Sequence, residues 1–143
     1  MFEFERAEVI EAASELVRIP SINPDLVPDG GGEGELAEAI AARLRRTPGI
    51  DVELQPVIDG RSNVIAAAGT GNGRTIMLNG HIDTVGVEGM AEPFSGRAEG
   101  NRLYGRGSYD MKAALGSATL LLERIARSGD FPGRVVVTYV VDE

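Results

Sequence analysis

The chain has 143 residues, 43% of them apolar and 25% charged, which is typical of a single globular domain. Its net charge of −8 at pH 7 argues against a nucleic-acid partner, because binding phosphates requires a basic surface. The lack of cysteine excludes disulfides and thiolate metal sites. The acidic N-terminal stretch is unlike a signal peptide, and no apolar run approaches the roughly 20 residues that span a bilayer, so we expect a cytoplasmic protein without a membrane partner.

Hydrophobic periodicity predicts helices interleaved with strands along the whole chain. An amphipathic helix at 5–18 is followed by a loop rich in proline and glycine, "IPSINPDLVPDGGGEGE", and a second helix around 36–44. The remaining predicted elements are strands at 50–57, 62–69 and 74–80, a helix at 111–127 and a strand at 133–141. This order predicts an α/β fold, a layered domain with a mixed β-sheet flanked by helices.

Two details of the strands can be predicted from local sequence. The stretch "TGNG" lacks the lysine of a phosphate-binding loop and leads into a strand rather than a helix, so a hairpin turn is the favoured interpretation. The last strand, "GRVVVTYVV", is apolar at nearly every position, which predicts a central strand covered on both faces.

Polar side chains fall where these elements end. His81, the only histidine, and Asp83 follow one predicted strand, Asp142 and Glu143 follow another, and Asp110 precedes a helix. Ligands of open α/β sheets bind beyond the carboxyl ends of strands, so a site is expected there. Each feature alone has an ordinary explanation: a structural histidine, a solvated turn, or an Asp at a helix N-cap.

The spacing of His-Ile-Asp suits a metal ligand. In an extended chain residues 81 and 83 point to one side and Ile82 to the other, so Asp83 can hydrogen-bond one imidazole nitrogen while the second faces a metal. A nitrogen ligand among carboxylates favours zinc, cobalt or manganese over calcium or magnesium. A serine nucleophile is disfavoured, because no second histidine is available to activate it.

Several motifs together resemble one known family. "NGHIDTV", "GRGSYDMKAAL" and the terminal "VVDE", preceded by "LVRIPSINP" and "GGEGE", resemble the zinc-dependent aminoacylase and carboxypeptidase family. That family includes acetylornithine deacetylase, succinyl-diaminopimelate desuccinylase and glutamate carboxypeptidase. The resemblance implies that residues 1–143 are the N-terminal segment of a zinc-exopeptidase-like catalytic domain, with the lid domain and further ligands lying later in the complete protein.

The resemblance also implies a role for each matching residue. His81 would bind one of two zinc ions, with cobalt as a substitute, and Asp83 would orient His81. Asp110 would bridge both metals, its bond to Met111 being a cis peptide, and Glu143 would be the general base. The implied reaction is hydrolysis of the amide bond of an N-acyl amino acid or dipeptide, in a complete protein that could be a homodimer.

A second class of function stays open at this stage. The chain could be a non-catalytic piece that keeps the fold and serves in binding or assembly. "GRGSYDMKAAL" and "SINPDLVP" resemble the acetylornithine and diaminopimelate branch of the family, but the acyl group and the amino acid of the substrate stay open, because the resemblance implies that the residues that recognise them lie mainly beyond position 143.

Overall fold

The computed structural model describes residues 2–58 and 60–142. Their order follows the predicted interleaving of helices and strands. The helices are α1 (Arg6–Val17), α2 (Gly34–Arg45) and α3 (Lys112–Ser128). The strands are β1 (Ile50–Ile58), β2 (Arg61–Ala68), β3 (Thr75–His81), β4 (Arg97–Glu99), β5 (Arg102–Tyr104) and β6 (Arg134–Val140).

The main sheet has the strand order β1-β2-β6-β3. The pairs β1–β2 and β2–β6 are antiparallel, whereas β3 runs parallel to β6. Helices α2 and α3 pack on the sheet and α1 packs on α3. The predicted α/β class with a mixed sheet flanked by helices is confirmed.

The hydrophobic core lies between the sheet and the helices. Alternate residues of β6 point into it, and the buried faces of α2 and α3 meet them. The sequence periodicities produce this arrangement, because residues two apart on a strand and three or four apart on a helix share one face. The largest fully buried apolar side chains are Leu36, Ile40, Leu44, Ile82, Leu122, Ile125 and Tyr139.

The predicted hairpin at "TGNG" is wrong. β2 and β3 are not neighbours, because β6 lies between them in the sheet. The connecting segment instead bonds to the chain just before β6, where Thr70 N–H donates to Phe131 O (3.0 Å) and Gly71 N–H to Gly133 O (3.2 Å). The connection therefore passes over the start of β6.

The prediction for the last strand holds in part. β6 is central in the sheet, and the face carrying Val135, Val137 and Tyr139 is buried. The residues between them are half-buried among the described residues, so only one face is fully covered. β3 is an edge strand, with Ile76 57% and Met77 63% exposed. No helix in the described part of the chain is long and apolar enough to cross a membrane.

Candidate metal site at the end of β3

Three of the predicted site residues meet at the carboxyl end of β3. His81 is the last residue of that strand, Asp83 follows it, and Asp110 ends the loop that leads into α3. His81 Nε2 lies 3.1 Å from Asp110 Oδ1. Glu143, the predicted general base, lies outside the described residues, one position after Asp142.

Asp83 contacts the second ring nitrogen of His81, Nδ1. Nδ1 lies 3.1 Å from the Asp83 carbonyl oxygen and 3.4 Å from the carboxylate Oδ1. Ile82 is fully buried in the core between them, as the extended-strand argument predicts. The two acceptors favour a proton on Nδ1 when a metal ion takes the Nε2 lone pair, whereas without metal Asp110 Oδ1 is a competing acceptor for a proton on Nε2.

Asp110 presents its carboxylate at the surface, with the side chain 78% exposed. It does not cap α3, since the N-cap residue is Met111 and no side chain bonds the cap. The peptide bond between Asp110 and Met111 is cis, which confirms the geometry implied by the family resemblance.

Glycines shape the loop before Asp110. Gly107 has φ +82, and a Cβ there would come within 3.0 Å of the side chains of Lys112 and Thr84. Gly105 has φ +139, and a Cβ would overlap the side chain of Val17. Positive φ and the lack of space both require glycine at these positions.

The donor set fits a metal ion such as zinc. Two ligands of one tetrahedral zinc ion are roughly 3.3 Å apart, given bonds of about 2.0–2.1 Å. The 3.1 Å between His81 Nε2 and Asp110 Oδ1 matches that spacing. Within 2–58 and 60–142, no group of three or more His, Asp or Glu side chains could hold a metal by itself. Further donors are therefore needed to complete the coordination.

A buried polar network contacts the site through Asp83. Arg61 is 5% exposed and makes a two-point ion pair with the fully buried Glu33, at 2.7 and 2.8 Å. Asn23, 2% exposed, donates to Asp83 Oδ2 at 3.0 Å and to Asp142 Oδ1 at 3.2 Å. Hydrogen bonds from Asn23 and Arg61 lower the pKa of Asp142.

Sequence reasoning missed this network. It placed Asn23 in an irregular loop and gave Arg61 and Glu33 no role. A signal was present in "PSINP", where Asn23 lies between Pro20 and Pro24 in a motif of the resemblance. A single sequence could not show that Arg61, 38 positions later, is a hydrogen-bond partner of Asn23.

Lys112, the only lysine, is fully buried beside the site. Its Nζ donates to the carbonyl oxygen of Ile19 at 2.7 Å, which ties the loop before Asn23 to the start of α3. Burial lowers the pKa of Lys112 to about 8.

This lysine is expected to make the metal-free chain more stable as pH rises from about 8 to 10. In that range the unfolded chain binds a proton that the native amine has lost, which raises the free energy of unfolding by up to about 3 kcal/mol. Above about pH 10 the trend should reverse. Burial raises the pKa of Tyr139, so the native phenol group keeps a proton that the unfolded chain releases.

Urea unfolding measured across this pH range tests the expectation. Lys112→Met should flatten the rise, and Arg102→Met, which removes an exposed cation in β5, should leave it unchanged. A rise of the same size in Lys112→Met would assign the pH dependence to other groups.

The comparisons with known proteins agree with the fold and the motifs. Residues 77–143 match Peptidase family M20/M25/M40. The chain is 35% identical to succinyl-diaminopimelate desuccinylase of Parvibaculum lavamentivorans, over 94% of this chain and 33% of that protein. It is 35% identical to acetylornithine deacetylase of Photorhabdus laumondii, over 72% of this chain and 28% of that protein.

A solved structure has the same architecture. The M20 family metallo-carboxypeptidase of Sulfolobus solfataricus superimposes with a TM-score of 0.77 and 23% identity, over 93% of this chain and 30% of that one. The resemblance predicted from the motifs is confirmed by the match of residues 77–143 to this peptidase family and by the two curated relatives. It spans about a third of the length of the curated relatives it matches.

Proposed function

We propose that residues 1–143 are the N-terminal segment of the catalytic domain of a metal-dependent hydrolase that cleaves amide bonds in N-acyl amino acids or small peptides. The observation that carries this proposal is the convergence of His81 Nε2 and Asp110 Oδ1 at 3.1 Å, with Asp83 on the far side of the imidazole. A histidine backed by a carboxylate and aimed at a second carboxylate is a common arrangement for zinc ligands.

Each residue has a distinct task in this proposal. His81 would hold a metal ion through Nε2, and Asp110, whose carboxylate has two oxygens, would be the ligand that two metal ions share. Asp83 keeps the proton of His81 on Nδ1, and Glu143 accepts a proton from the attacking water and returns it to the leaving amine. Two bound metal ions supply Lewis acidity, which activates water and polarises the scissile carbonyl group.

The substrate class follows from the relatives. Succinyl-diaminopimelate desuccinylase and acetylornithine deacetylase both act on an acylated amino group of a small amino acid, as their names state. We infer an N-succinyl or N-acetyl diamino acid as substrate. Zinc as the native metal, cobalt as its substitute, a cytoplasmic location and a homodimer of the complete protein stay predictions.

A non-catalytic role is less well supported. A piece kept only for binding or assembly would not need a histidine oriented by one carboxylate and aimed at another. Here the three side chains keep that arrangement, and Asp110 stays exposed to solvent rather than capping a helix.

Metal removal tests the proposed function. In the complete enzyme, an excess of chelator is expected to abolish hydrolysis of N-succinyl-diaminopimelate and N-acetylornithine, and added zinc or cobalt to restore it. His81→Ala should bind less metal per protein, whereas Asn72→Ala, in the loop that leads into β3, should match the unaltered enzyme. Full activity in excess chelator would rule out a metal-dependent reaction.

A further inference from the structure

We propose that Asn23 is a positioning residue: it fixes the carboxylate of Asp83 and, through that carboxylate, the tautomer and orientation of the His81 ring. This inference rests on the proposed function, in which His81 is a metal ligand. It adds a residue of the "SINPD" loop, far from the metal ligands in sequence, to the machinery of the site.

The hydrogen bonds of Asn23 permit only one orientation of its amide. Nδ2 donates to two carboxylates, Asp83 Oδ2 at 3.0 Å and Asp142 Oδ1 at 3.2 Å. Oδ1 accepts from the Asp25 backbone N–H at 2.9 Å and from Arg61 Nη2 at 3.3 Å. A flipped amide would set its carbonyl oxygen against both carboxylates and its NH₂ against both donors.

The contact from Asn23 determines how Asp83 meets the histidine. With Oδ2 held by Asn23, the other oxygen, Oδ1, is directed to His81 Nδ1 at 3.4 Å. Without the amide, the buried carboxylate would lose a donor and could rotate about its terminal torsion, which has no sharp minima. The ring would then lose the carboxylate contact at Nδ1, while the Asp83 carbonyl oxygen at 3.1 Å would remain, so the preference for a proton on Nδ1 would weaken.

Arg61 in turn fixes Asn23. Its guanidinium is planar and fully engaged, with Nε and Nη2 on Glu33 and Nη1 on Asp25 at 2.7 Å. Because Nη2 also reaches Asn23 and Asp142, each at 3.3 Å, the group aligns Asn23 together with the second carboxylate that the Asn23 amide contacts. Lysine, with a single ammonium group, could not replace this planar set of donors.

The backbone around Asn23 is held independently of its side chain. Asn23 N–H donates to Thr84 O at 2.9 Å, Thr84 N–H donates to Ser21 O at 2.8 Å, and the Ser21 hydroxyl donates to Ile82 O at 2.7 Å. These bonds keep the loop in place when the amide is removed, so Asn23 variants should fold. Asn23→Asp also keeps an oxygen for Arg61 and the Asp25 N–H, but it replaces the donations to Asp83 and Asp142 with a carboxylate oxygen that faces both.

The single histidine gives a direct readout of this role. In the metal-free 143-residue chain, long-range ¹H–¹⁵N spectra at mildly alkaline pH report the tautomer of His81 alone. Because Asp110 Oδ1 competes for a proton on Nε2 when no metal is bound, we expect both tautomers in the unaltered chain and a larger Nε2–H fraction in Asn23→Ala and Asn23→Asp. Thr119→Val removes a buried hydroxyl that pairs with Tyr139, and it should lower Tm without changing the tautomer.

The second part of the test measures metal affinity and kcat in the complete enzyme. Asn23→Ala and Asn23→Asp should lower metal affinity or kcat by roughly 10–100-fold, the range for partners of metal ligands, with KM little changed. An unchanged tautomer together with unchanged kcat in both variants would overturn the proposal. If the unaltered enzyme shows no metal-dependent hydrolysis, the proposed function fails, and the tautomer measurement still decides whether Asn23 positions His81.

Discussion

Glu143→Gln in the complete enzyme is expected to reduce kcat by at least ~100-fold, the lower end of the effect of losing a general base. Glutamine keeps the size of the side chain but cannot accept the proton of the attacking water at neutral pH. Fold and metal content should stay close to those of the unaltered enzyme, because this residue is proposed to act on the water rather than to bind metal. Steady-state kinetics measure kcat, and metal analysis of the same preparation measures the metal content.

A matched control separates this effect from the loss of any carboxylate. Glu53→Gln makes the same chemical change on an exposed position of β1, and it should leave kcat unchanged. Normal turnover in Glu143→Gln would show that the register of "VVDE" had been misread and that another carboxylate is the base.

Local patterns in the sequence were sufficient for most elements of the fold. The 3.6-residue period located the three helices, apolar–polar alternation located β1, and short apolar segments located β2, β3 and β6. The short hairpin β4–β5 was missed, since three-residue strands do not show a readable alternation. The order of the strands was not predictable either, because nothing in "TGNG" indicates that β6, sixty residues later, takes the place beside β2.

Some residues of the candidate site could likewise be predicted from the sequence, and others could not. His81, Asp83 and Asp110 could be proposed because each lies at the end of an element, where motif and topology agree. The network behind them consists of contacts between distant segments, such as Arg61 with Glu33 and with Asn23. Such pairings depend on the tertiary fold, so a single sequence gives the residue types but not the partners.

The chain of residues 1–143 on its own is expected to hydrolyse no N-acyl amino acid. Its described residues bring His81 and Asp110 together but offer no group of three or more acidic or histidine side chains able to hold a metal. Two protein ligands leave half of a tetrahedral coordination sphere to water, so zinc is expected to bind with a Kd no tighter than about 1 µM.

Calorimetry with zinc measures the affinity. Assays of the zinc- or cobalt-loaded chain with N-acetylornithine, N-succinyl-diaminopimelate and a dipeptide measure hydrolysis. Weak binding without turnover is the expected result, because groups that would orient the substrate contribute much of the rate and are not evident at this site. Turnover by the unaltered chain that disappears in Glu143→Gln would contradict it. The missing ligands would then have to come from within these 143 residues, either from the same chain or from a second copy.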